Sequence, residues 1–446
     1  MNPTRLNLSD AIRQTAHPLT GATTNYDALL ERVGSAQFVL IGEASHGTHD
    51  FYYERAEITK RLIQEKGFTA VAVEADWPDA YRINRFVRGA SEDPTATESL
   101  NGFRRFPTWM WRNTDVLKFV DWLQRYNDSL PPDAVKAGFY GLDLYSLYSS
   151  MEAVLKYLDV IDPEAAQRAR YRYACFEHFG EDSQGYGYAT SFGLTQSCED
   201  QVVNQLMELQ KQAADYAQQD GRVPEDEFFY AEQNARLVKN AEAYYRSMFQ
   251  GRSSSWNLRD RHMAETLDQL TAHLGRMIDR PKIVLWAHNS HLGDARATEM
   301  GARGELNVGQ LVRQRHAEQA FLIGFSTYTG TVAAASNWDA PVEIKRVRPG
   351  LPDSYEALFH AVGLDRFWLP LGDRSELSQA LRHPRLERAI GVIYRPETER
   401  TSHYFDAWLP DQFDAVIHID NSRAVEPLDQ VQPADGETPE TYPSTL

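Results

Sequence analysis

The feature that most constrains the fold of this chain is a series of short apolar runs, rich in Val, Ile and aromatic residues, in which apolar and polar positions do not alternate cleanly. Such runs are typical of strands that are buried on both faces of a mostly parallel sheet. The predicted strands are FVLIGE (Phe38–Glu43), TAVAVEA (Thr69–Ala75), AGFYGLD (Ala137–Asp143), KIVLWAH (Lys282–His288), AFLIGFST (Ala320–Thr327), AIGVIYR (Ala389–Arg395) and DAVIHID (Asp414–Asp420). The predicted fold class is therefore α/β, with a mostly parallel central sheet flanked by helices.

Helical patterns separate these runs. The segment His49–Lys66 carries apolar residues at near-helical spacing, with Thr48 as its candidate N-cap and Gly67 just past its C-terminal end. A second helix is predicted over Thr114–Tyr126, with Thr114 as the candidate cap. Strand, helix and strand at the start of the chain thus form one β-α-β unit, whose crossover should be right-handed.

Strand signals vanish in the middle of the chain, and helical patterns replace them. We interpret residues 146–279 as a mainly helical insertion, or lid, between a first half of the α/β core in residues 1–145 and a second half in residues 280–425. Within the insertion, the glycine- and aromatic-rich stretch His178–Gly193 is predicted to be an irregular binding loop. Residues 426–446 are rich in Pro, Glu and Thr and are predicted to be a disordered tail. The predicted helices of the insertion are Met151–Leu158, Glu199–Gln219, Glu225–Phe249 and Leu258–Met277.

The charge balance narrows the class of partner. The 446 residues include 63 acids and 46 bases, a formal net charge of −17. That surplus argues against a sequence-independent nucleic-acid binder, which needs Lys and Arg to neutralise phosphates, and against docking on anionic lipid. We therefore expect a soluble protein that acts on a small molecule, neutral or cationic, with neither nucleic acid nor membrane as a partner.

The cysteines and the apolar runs give an expectation about the compartment. Cys175 and Cys198 do not form a C-x-x-C motif, so we expect free thiols in a reducing environment. The first residues lack the apolar core of a signal peptide, and no apolar run reaches the ~18 residues of a membrane span. The expected location is the cytoplasm.

Ionisable side chains follow four of the predicted strands at their carboxyl ends. Ligands bind outside that edge of an open parallel sheet, so groups at several strand ends should lie close together. Any one of them is more often a helix cap or a solvated loop residue, but carboxylates and imidazoles brought together shift one another's pKa values, which acid–base catalysis requires. The residues are Glu43 and His46 after the first strand, Glu74 after the second, Asp143 and Tyr145 after the third, and His288 and His291 after the fourth.

The spacing His-x-x-His occurs twice, in IGEASHGTHD (Ile41–Asp50) and in LWAHNSHLGD (Leu285–Asp294). Together with Glu43 and Glu74, these histidines could supply nitrogen and oxygen ligands to a metal ion. The spacing at a strand-to-helix turn is not a standard zinc spacing, so we expect no metal and no cofactor. A metal-dependent hydrolase at the same residues remains the alternative.

Several motifs of other enzyme classes are absent. The sequence has no G-x-S-x-G elbow, no G-x-x-x-x-G-K-[ST] loop, no dinucleotide fingerprint after a strand and no H-E-x-x-H. Direct attack by water, assisted by His and Glu side chains, is the most economical chemistry that remains.

At these residues the chain resembles the erythromycin esterase family. The resemblance extends from about Phe38 to Asp420, and the motifs G-E-x-x-H-G and A-H-N-x-H, in that order, are specific to it. It implies an α/β core and a hydrolytic mechanism without a metal, and it leads us to expect hydrolysis of an ester or a macrolactone, including inactivation of macrolide antibiotics. The matching segments are IGEASHG, YYERAEI, GFTAVAVEADW, GFYGLDLYS, RDRHMAETL, VLWAHNSHLG and YRPETERTSHYFDAWLPDQFDAVIHID.

The family pattern places a general-base histidine at His46, with companions at Glu43, Arg55, Glu74, His288 and, less directly, His291. A neutral imidazole can take a proton from an attacking water, and either glutamate could orient it. His288 would donate to the oxyanion or to the leaving alkoxide. A non-hydrolytic binding protein or an enzyme of polysaccharide biosynthesis is the remaining alternative.

Further residues are candidates for contact with the substrate. The polar groups Asp143, Tyr145 and His291 lie at predicted strand ends, and Trp77, Tyr186 and Tyr188 could pack on an apolar substrate, although aromatic residues more often belong to the core. His49 and Asp50 are interpreted as the first turn of the helix. The cluster Arg259, Asp260 and His262 is either a surface salt-bridge face or a set of residues that support the site.

Overall fold

The computed structural model describes residues 7–213, 216, 224–249, 251–372 and 375–428. The strands in this part of the chain are β1 His17–Pro18, β2 Phe38–Ile41, β3 Ala70–Asp76, β4 Gly138–Asp143, β5 Ile283–Trp286, β6 Ala320–Ala334, β7 Glu343–Val347, β8 Arg366–Pro370, β9 Arg385–Arg388, β10 Tyr404–Ala407 and β11 Ala415–Ser422.

These strands form a 9-stranded sheet of order β1-β8-β11-β6-β2-β5-β3-β4, with β7 paired to β6, and β9 pairs with β10 separately. Neighbouring strands from β11 to β4 in this order are parallel, whereas β1, β7 and β8 are antiparallel to their neighbours.

Helices cover both faces of this sheet. Along β2, Phe38 and Leu40 belong to one apolar cluster while Val39 and Ile41 belong to the other, so the strand is buried on both sides. The α-helices are Leu8–Thr15, Asp27–Val33, His49–Lys66, Trp77–Arg88, Ala96–Ser99, Thr114–Asp128, Leu147–Ile161, Pro163–Tyr173, Ser183–Ser191, Glu199–Lys211, Pro224–Ser247, Arg252–Leu274, Asn289–Leu292, Glu299–Ala302, Val308–His316, Tyr355–His360, Glu376–Leu381, Glu399–Ser402 and Leu409–Gln412. The predicted α/β class with a mostly parallel sheet is confirmed.

Most of the predicted strands are present, but the one at Ala389–Arg395 is wrong. Only isolated bridges occur there, from Ile390 to Ser45 and from Ile393 to Ala335. The run is apolar because it packs as a loop against the core and lines a cavity, with Gly391 among the lining residues, not because it joins the sheet. Periodicity alone does not separate these two environments.

The first crossover helix spans His49–Lys66 as predicted and ends at Gly67, which adopts a left-handed φ of 71°. The predicted capping roles need correction. Thr48 stands at the N-cap position, but its side chain hydrogen-bonds Ser45 and does not cap the helix. The second helix is capped by Asn113, whose side chain accepts from the N–H groups of residues 115 and 116, so Thr114 is already the first helical residue.

Between β4 and β5 the described residues are helical or irregular, without strands. The interpretation of this region as a lid, and the division of the core into two halves, stay predictions. The stretch predicted as an irregular loop instead contains the helix Ser183–Ser191. The helix predicted over Glu199–Gln219 ends at Lys211 in the described part of the chain. The predicted start of the disordered tail is wrong, because residues 426–428 are described and hydrogen-bond residues 112 and 114, whereas residues 429–446 lie outside the described residues.

The expectation of free thiols is wrong. Cys175 and Cys198 form a disulfide with Cα atoms 6.0 Å apart. Their spacing of 23 residues carried no pairing signal, because the two cysteines come together only through packing of the helices between them. Among the described residues, none of the helices combines the length and apolar character needed to cross a bilayer.

Candidate active site

The corner after β2 holds a histidine that is hydrogen-bonded to a carboxylate. The Nδ1–H of His46 donates to Glu43 Oε1 at 2.8 Å, and Arg55 Nη2 lies 3.0 Å from the other carboxylate oxygen, Oε2. All three side chains are buried. Because Nδ1 carries the proton that Glu43 accepts, Nε2 of His46 is left as an unprotonated acceptor.

The turn that carries these residues requires glycine at two positions, Gly42 and Gly47. A Cβ on Gly42 would lie 2.2 Å from the side-chain oxygen of Asn289, and Gly47 adopts a φ of +77° with a backbone carbonyl 2.2 Å from the position of a Cβ. The backbone N–H of Asn289 donates to the carbonyl of Glu43 at 2.8 Å. The corner after β2 is therefore fixed directly against the corner after β5.

The corner after β5 presents a second histidine with the opposite proton arrangement. His288 is the N-cap of the short helix Asn289–Leu292, and its Nδ1 accepts from the backbone N–H of Ser290 at 3.2 Å. The proton therefore resides on Nε2, a buried atom whose nearest acceptor is the backbone of Ala44 and which makes no well-formed hydrogen bond in the described protein. Burial, and after it the nearby His46, lowers the pKa of His288 to about 3. The ring is neutral at physiological pH and carries its N–H donor on Nε2.

The two histidines face each other in one cavity. Their ring centroids are 4.9 Å apart with an interplanar angle of 53°, and both rings line a cavity of about 260 Å³. One side chain is an acceptor at Nε2 and the other is a donor at Nε2. A site with both functions can remove a proton from a nucleophile and stabilise a developing negative charge.

A buried charged cluster lies beside this pair. Arg259 donates to both oxygens of Asp143, at 2.9 and 2.6 Å, and to Glu74 at 2.7 Å. The second oxygen of Glu74 accepts from the backbone N–H of His288 at 2.8 Å. Glu74 therefore fixes the backbone of His288 and does not contact the His46 ring. The guanidinium of Arg259 also stacks over Tyr145, 4.8 Å from the ring centroid.

His291 lies between two carboxylates of the same cluster, and Arg259 Nη1 also contacts its Nε2 at 3.2 Å. Its Nδ1 donates to Asp260 at 2.9 Å, its Nε2 lies 3.3 Å from Glu74, and its ring stacks on Trp256 with centroids 4.5 Å apart. Burial alone would lower the pKa of His291, but the negative charges of Asp260 and Glu74 raise it to about 9. Burial likewise opposes ionisation of Glu74, yet His291 and Arg259 hold the pKa of Glu74 well below its usual range.

The rest of the cavity wall is largely aromatic and apolar. Its aromatic residues include Phe103, Phe106, Trp111, Trp256 and Trp338, and the segments 389–393 and 401–405 form part of the wall. Such a wall suits a substrate with a substantial apolar surface.

The structure brings together most of the predicted site residues but not all. Among the described residues that line the cavity are His46, Glu74, Asp143, Tyr145, His288 and His291, whereas Glu43 and Arg55 lie directly behind His46.

Three of the predicted substrate contacts, Trp77, Tyr186 and Tyr188, do not line the cavity described. Trp77 and Tyr186 are buried in the core, where the hydroxyl of Tyr186 donates to Glu242 at 2.7 Å, and Tyr188 is half-exposed against Phe192.

The reading of Arg259, Asp260 and His262 as a surface face is wrong, since all three are buried. His49 lies outside the cavity wall described and contacts Asp115 through Nδ1 at 2.8 Å. The described part of the chain contains no group of three or more His, Cys, Asp or Glu side chains arranged to bind a metal ion.

The model of the erythromycin esterase family matches residues 63–422. This chain belongs to that family. Family membership supports a hydrolase. The matched residues include the corner after β5 and most of the cavity wall.

Individual relatives are distant. An erythromycin esterase type II of Escherichia coli is 24% identical over 324 residues, which are 70% of this chain and 74% of that protein. A solved structure named a succinoglycan biosynthesis protein shares 20% identity at a TM-score of 0.76, covering 95% of this chain and 98% of that one. A variant of the erythromycin esterase EreC in its open conformation shares 18% identity at a TM-score of 0.66, covering 93% of this chain and 99% of that one. The two structures show that the fold is shared.

Proposed function

We propose that this protein hydrolyses carboxylic esters, cyclic or linear, by direct attack of a water molecule that His46 activates. The observation that carries the proposal is the pair of histidine rings at the cavity, whose hydrogen bonds leave Nε2 of His46 as the acceptor and Nε2–H of His288 as the donor. Ester hydrolysis requires these two functions at one carbonyl group. Family membership supports the same class of reaction.

The reaction consumes one water and one ester and yields a carboxylic acid and an alcohol. His46 Nε2 takes a proton from the water as its oxygen bonds to the carbonyl carbon, and His288 Nε2–H hydrogen-bonds the resulting oxyanion. When the tetrahedral intermediate collapses, the C–O bond to the alcohol breaks and His46 returns its proton to the leaving alkoxide. The acid product then ionises in solution.

Glu43 and Arg55 act through His46. The carboxylate accepts from Nδ1, so it selects the tautomer with a free Nε2 and stabilises the imidazolium that forms during the reaction. Arg55 pairs with the other oxygen of the carboxylate, and the guanidinium is itself packed over the ring of Tyr52 at 4.3 Å. These two residues are positioning groups.

The cavity favours a bulky, partly apolar ester. The relatives bear two different names, an erythromycin esterase and a succinoglycan biosynthesis protein, so macrolides and acylated polysaccharides both belong in the substrate panel. Inactivation of a macrolide antibiotic is one specific form of this proposal, and the aromatic wall would pack against an apolar face of such a molecule.

The test is turnover of a panel of esters by the purified protein, with product identified by mass spectrometry. The panel contains p-nitrophenyl alkanoates, a macrolide lactone and an O-acetylated polysaccharide. Hydrolysis of at least one ester that depends on His46 supports the proposal, whereas binding without product throughout the panel contradicts it and favours a non-hydrolytic role.

The same protein preparation also tests the alternative of a metal-dependent hydrolase. Metal content is measured by plasma emission before and after dialysis against a chelator, and turnover is measured in both samples. The proposal expects the same rate in both samples. A stoichiometric divalent metal whose removal abolishes turnover would instead support a metal-dependent hydrolase at these residues.

A further inference from the structure

The side chain of Asn289, the third residue of the A-H-N-x-H motif, has no task in the mechanism above. Asn289 follows His288 directly and is 1% exposed. It is absent from the cavity wall described, so its side chain does not reach a substrate there. Its contacts instead join the parts of the sheet from which the site is built.

Strand β2 leaves the sheet just before the site. It lies between β6 and β5, and its ladder with β6 ends at the hydrogen bond from the N–H of Gly42 to the carbonyl of Ile323, at 2.8 Å. Beyond this point the chain turns into the corner that carries Glu43 and His46, whereas β6 continues. The backbone of Phe325, two residues further along β6, therefore needs hydrogen-bond partners other than β2.

The side chain of Asn289 takes the place that β2 has left. Its Nδ2 donates to the carbonyl of Phe325 at 2.8 Å, and its Oδ1 accepts from the N–H of Phe325 at 3.2 Å. One primary amide thus supplies both the donor and the acceptor that a neighbouring strand would supply. The backbone N–H of Asn289 also donates to the carbonyl of Glu43 at 2.8 Å. A single residue therefore joins β6, the corner after β5 and the corner after β2.

The amide also explains the glycine at position 42. A Cβ on Gly42 would lie 2.2 Å from Oδ1 of Asn289, much closer than two such atoms can approach. Gly42 is not one of the glycines with a positive φ, so the requirement for glycine is steric and not conformational. The backbone of the turn after β2 thus rests directly against the amide. The width of the amide separates the corner of His46 from the corner of His288.

Resting on the function proposed above, we infer that Asn289 is a positioning residue that sets the distance between the acceptor ring of His46 and the donor ring of His288. The ring centroids are 4.9 Å apart, and both rings must reach one carbonyl group at the same time. Misplacement of a catalytic group by about 1 Å can lower a rate by about 10²-fold. Asn289 acts through the two rings and not on the substrate.

Asn127 provides a matched control away from the site. It is 0% exposed, its Nδ2 donates to the carbonyl of Ala137 at 2.8 Å, and its Oδ1 accepts from the N–H of Ala137 at 2.8 Å. Its amide therefore pairs both backbone groups of one residue, as Asn289 does with Phe325, but it lies outside the cavity wall described. Asn127→Ala removes the same kind of contact without touching the corners of the site.

The first experiment compares Asn289→Ala with Asn127→Ala in ester turnover and in denaturant titration. Both variants should lower the denaturation midpoint, because each leaves two buried backbone groups without partners. In folded Asn289→Ala, kcat should fall by about 10- to 100-fold while KM changes by less than about 3-fold, since the rings are displaced and the cavity wall is not. In Asn127→Ala, kcat should stay within about 2-fold of the unsubstituted value. Equal kcat in the two variants would overturn the inference.

A substitution at position 42 reaches the same contact from the other side. Gly42→Ala should push the amide away from Phe325 and lower kcat to a similar degree. In the double variant Gly42→Ala/Asn289→Ala the methyl group has room, because the next atom, the carbonyl oxygen of Ile323, lies 3.2 Å from the Cβ position. The double variant should therefore be at least as active as Gly42→Ala alone. Losses of kcat that simply multiply would contradict the contact between the two positions.

The ring resonances distinguish failure of this inference from failure of the proposed function. Nitrogen-15 NMR of histidine-labelled protein reports the tautomer and surroundings of each ring, with signals assigned from His46→Asn and His288→Asn. Asn289→Ala should shift the signals of both rings, and Asn127→Ala should shift neither. If no ester is hydrolysed but this pattern is found, only the hydrolytic proposal fails. If turnover occurs and neither kcat nor the ring signals respond to Asn289→Ala, only the role of Asn289 fails.

Discussion

His46 and His288 lie with their ring centroids 4.9 Å apart and carry their protons on different ring nitrogens. The two tautomers are set by unrelated partners, the carboxylate of Glu43 for one ring and the backbone N–H of Ser290 for the other. Each tautomer depends on local structure at its own strand-to-helix corner. The site therefore places a base and a hydrogen-bond donor side by side without needing either ring to be charged at rest.

The donor role of His288 can be tested with two substitutions. His288→Asn keeps an acceptor near Nδ1 for the N–H of Ser290 but removes the donor at Nε2, so kcat should fall by about 10²- to 10³-fold with little change in KM. His288→Gln keeps an N–H donor near the Nε2 position and should retain more activity. Equal losses in steady-state kinetics for both variants would contradict a donor role.

Glu43→Gln tests whether a carboxylate is needed behind His46. The amide retains the size of the side chain but cannot stabilise the imidazolium, so kcat should fall by about 10²- to 10⁴-fold. Glu57→Gln on the first crossover helix, where Glu57 pairs with Lys60 at the surface, is the control and should leave kcat unchanged. Activity near the unsubstituted level in Glu43→Gln would remove Glu43 from the mechanism.

Arg259→Met should destabilise the protein strongly. The substitution leaves the buried carboxylates of Asp143 and Glu74 without their shared cation, and loss of one partner of a buried ion pair lowers the free energy of unfolding by about 3–5 kcal/mol. Arg125→Met breaks the exposed ion pair with Asp121 and should change the free energy of unfolding by less than about 1 kcal/mol. Denaturant titration measures the loss of unfolding free energy in each variant. Similar losses in the two variants would contradict a stabilising role of Arg259 in the buried cluster.

The charge on His291 gives the stability a pH dependence with a defined sign. Its folded pKa of about 9 lies above the ordinary value of 6.5, so protonation stabilises the fold fully below pH about 6.5 and this contribution is lost as the pH rises through 9. Denaturant titrations at several pH values should show unfolding free energy that falls across this window. The decrease should be smaller in His291→Gln.

The comparison with His291→Gln separates the contribution of His291 to this pH dependence from that of two buried acids. Burial raises the pKa of Asp79 and of Glu387 to about 8, so both titrate in an overlapping range in the unsubstituted protein and in the variant alike. An identical pH dependence in the two proteins would show that His291 is neutral in the folded state.

The sequence predicts the corners of this site well because strand ends are local features. Glu43, His46, Glu74 and His288 each follow an apolar run, and the parallel sheet brings the ends of those runs to one edge. A glutamate that orients His46 could be anticipated from these corners. The choice between Glu43 and Glu74 could not, since it depends on the side-chain directions at two different strands.

What the sequence could not reveal is set by long-range packing. Arg259 comes from a helix far along the chain and reaches Asp143 across 116 positions, so its charged neighbours resemble an ordinary surface face.

The central claim is that His46, and not its neighbour His49, is the base. The most direct measurement is kcat/KM on a hydrolysed ester for His46→Asn and His49→Asn, with circular dichroism to show that each variant is folded. His49 contacts Asp115 outside the cavity wall described, so His49→Asn should retain activity close to that of the unsubstituted protein, whereas His46→Asn should abolish turnover. Full activity in folded His46→Asn would contradict the account.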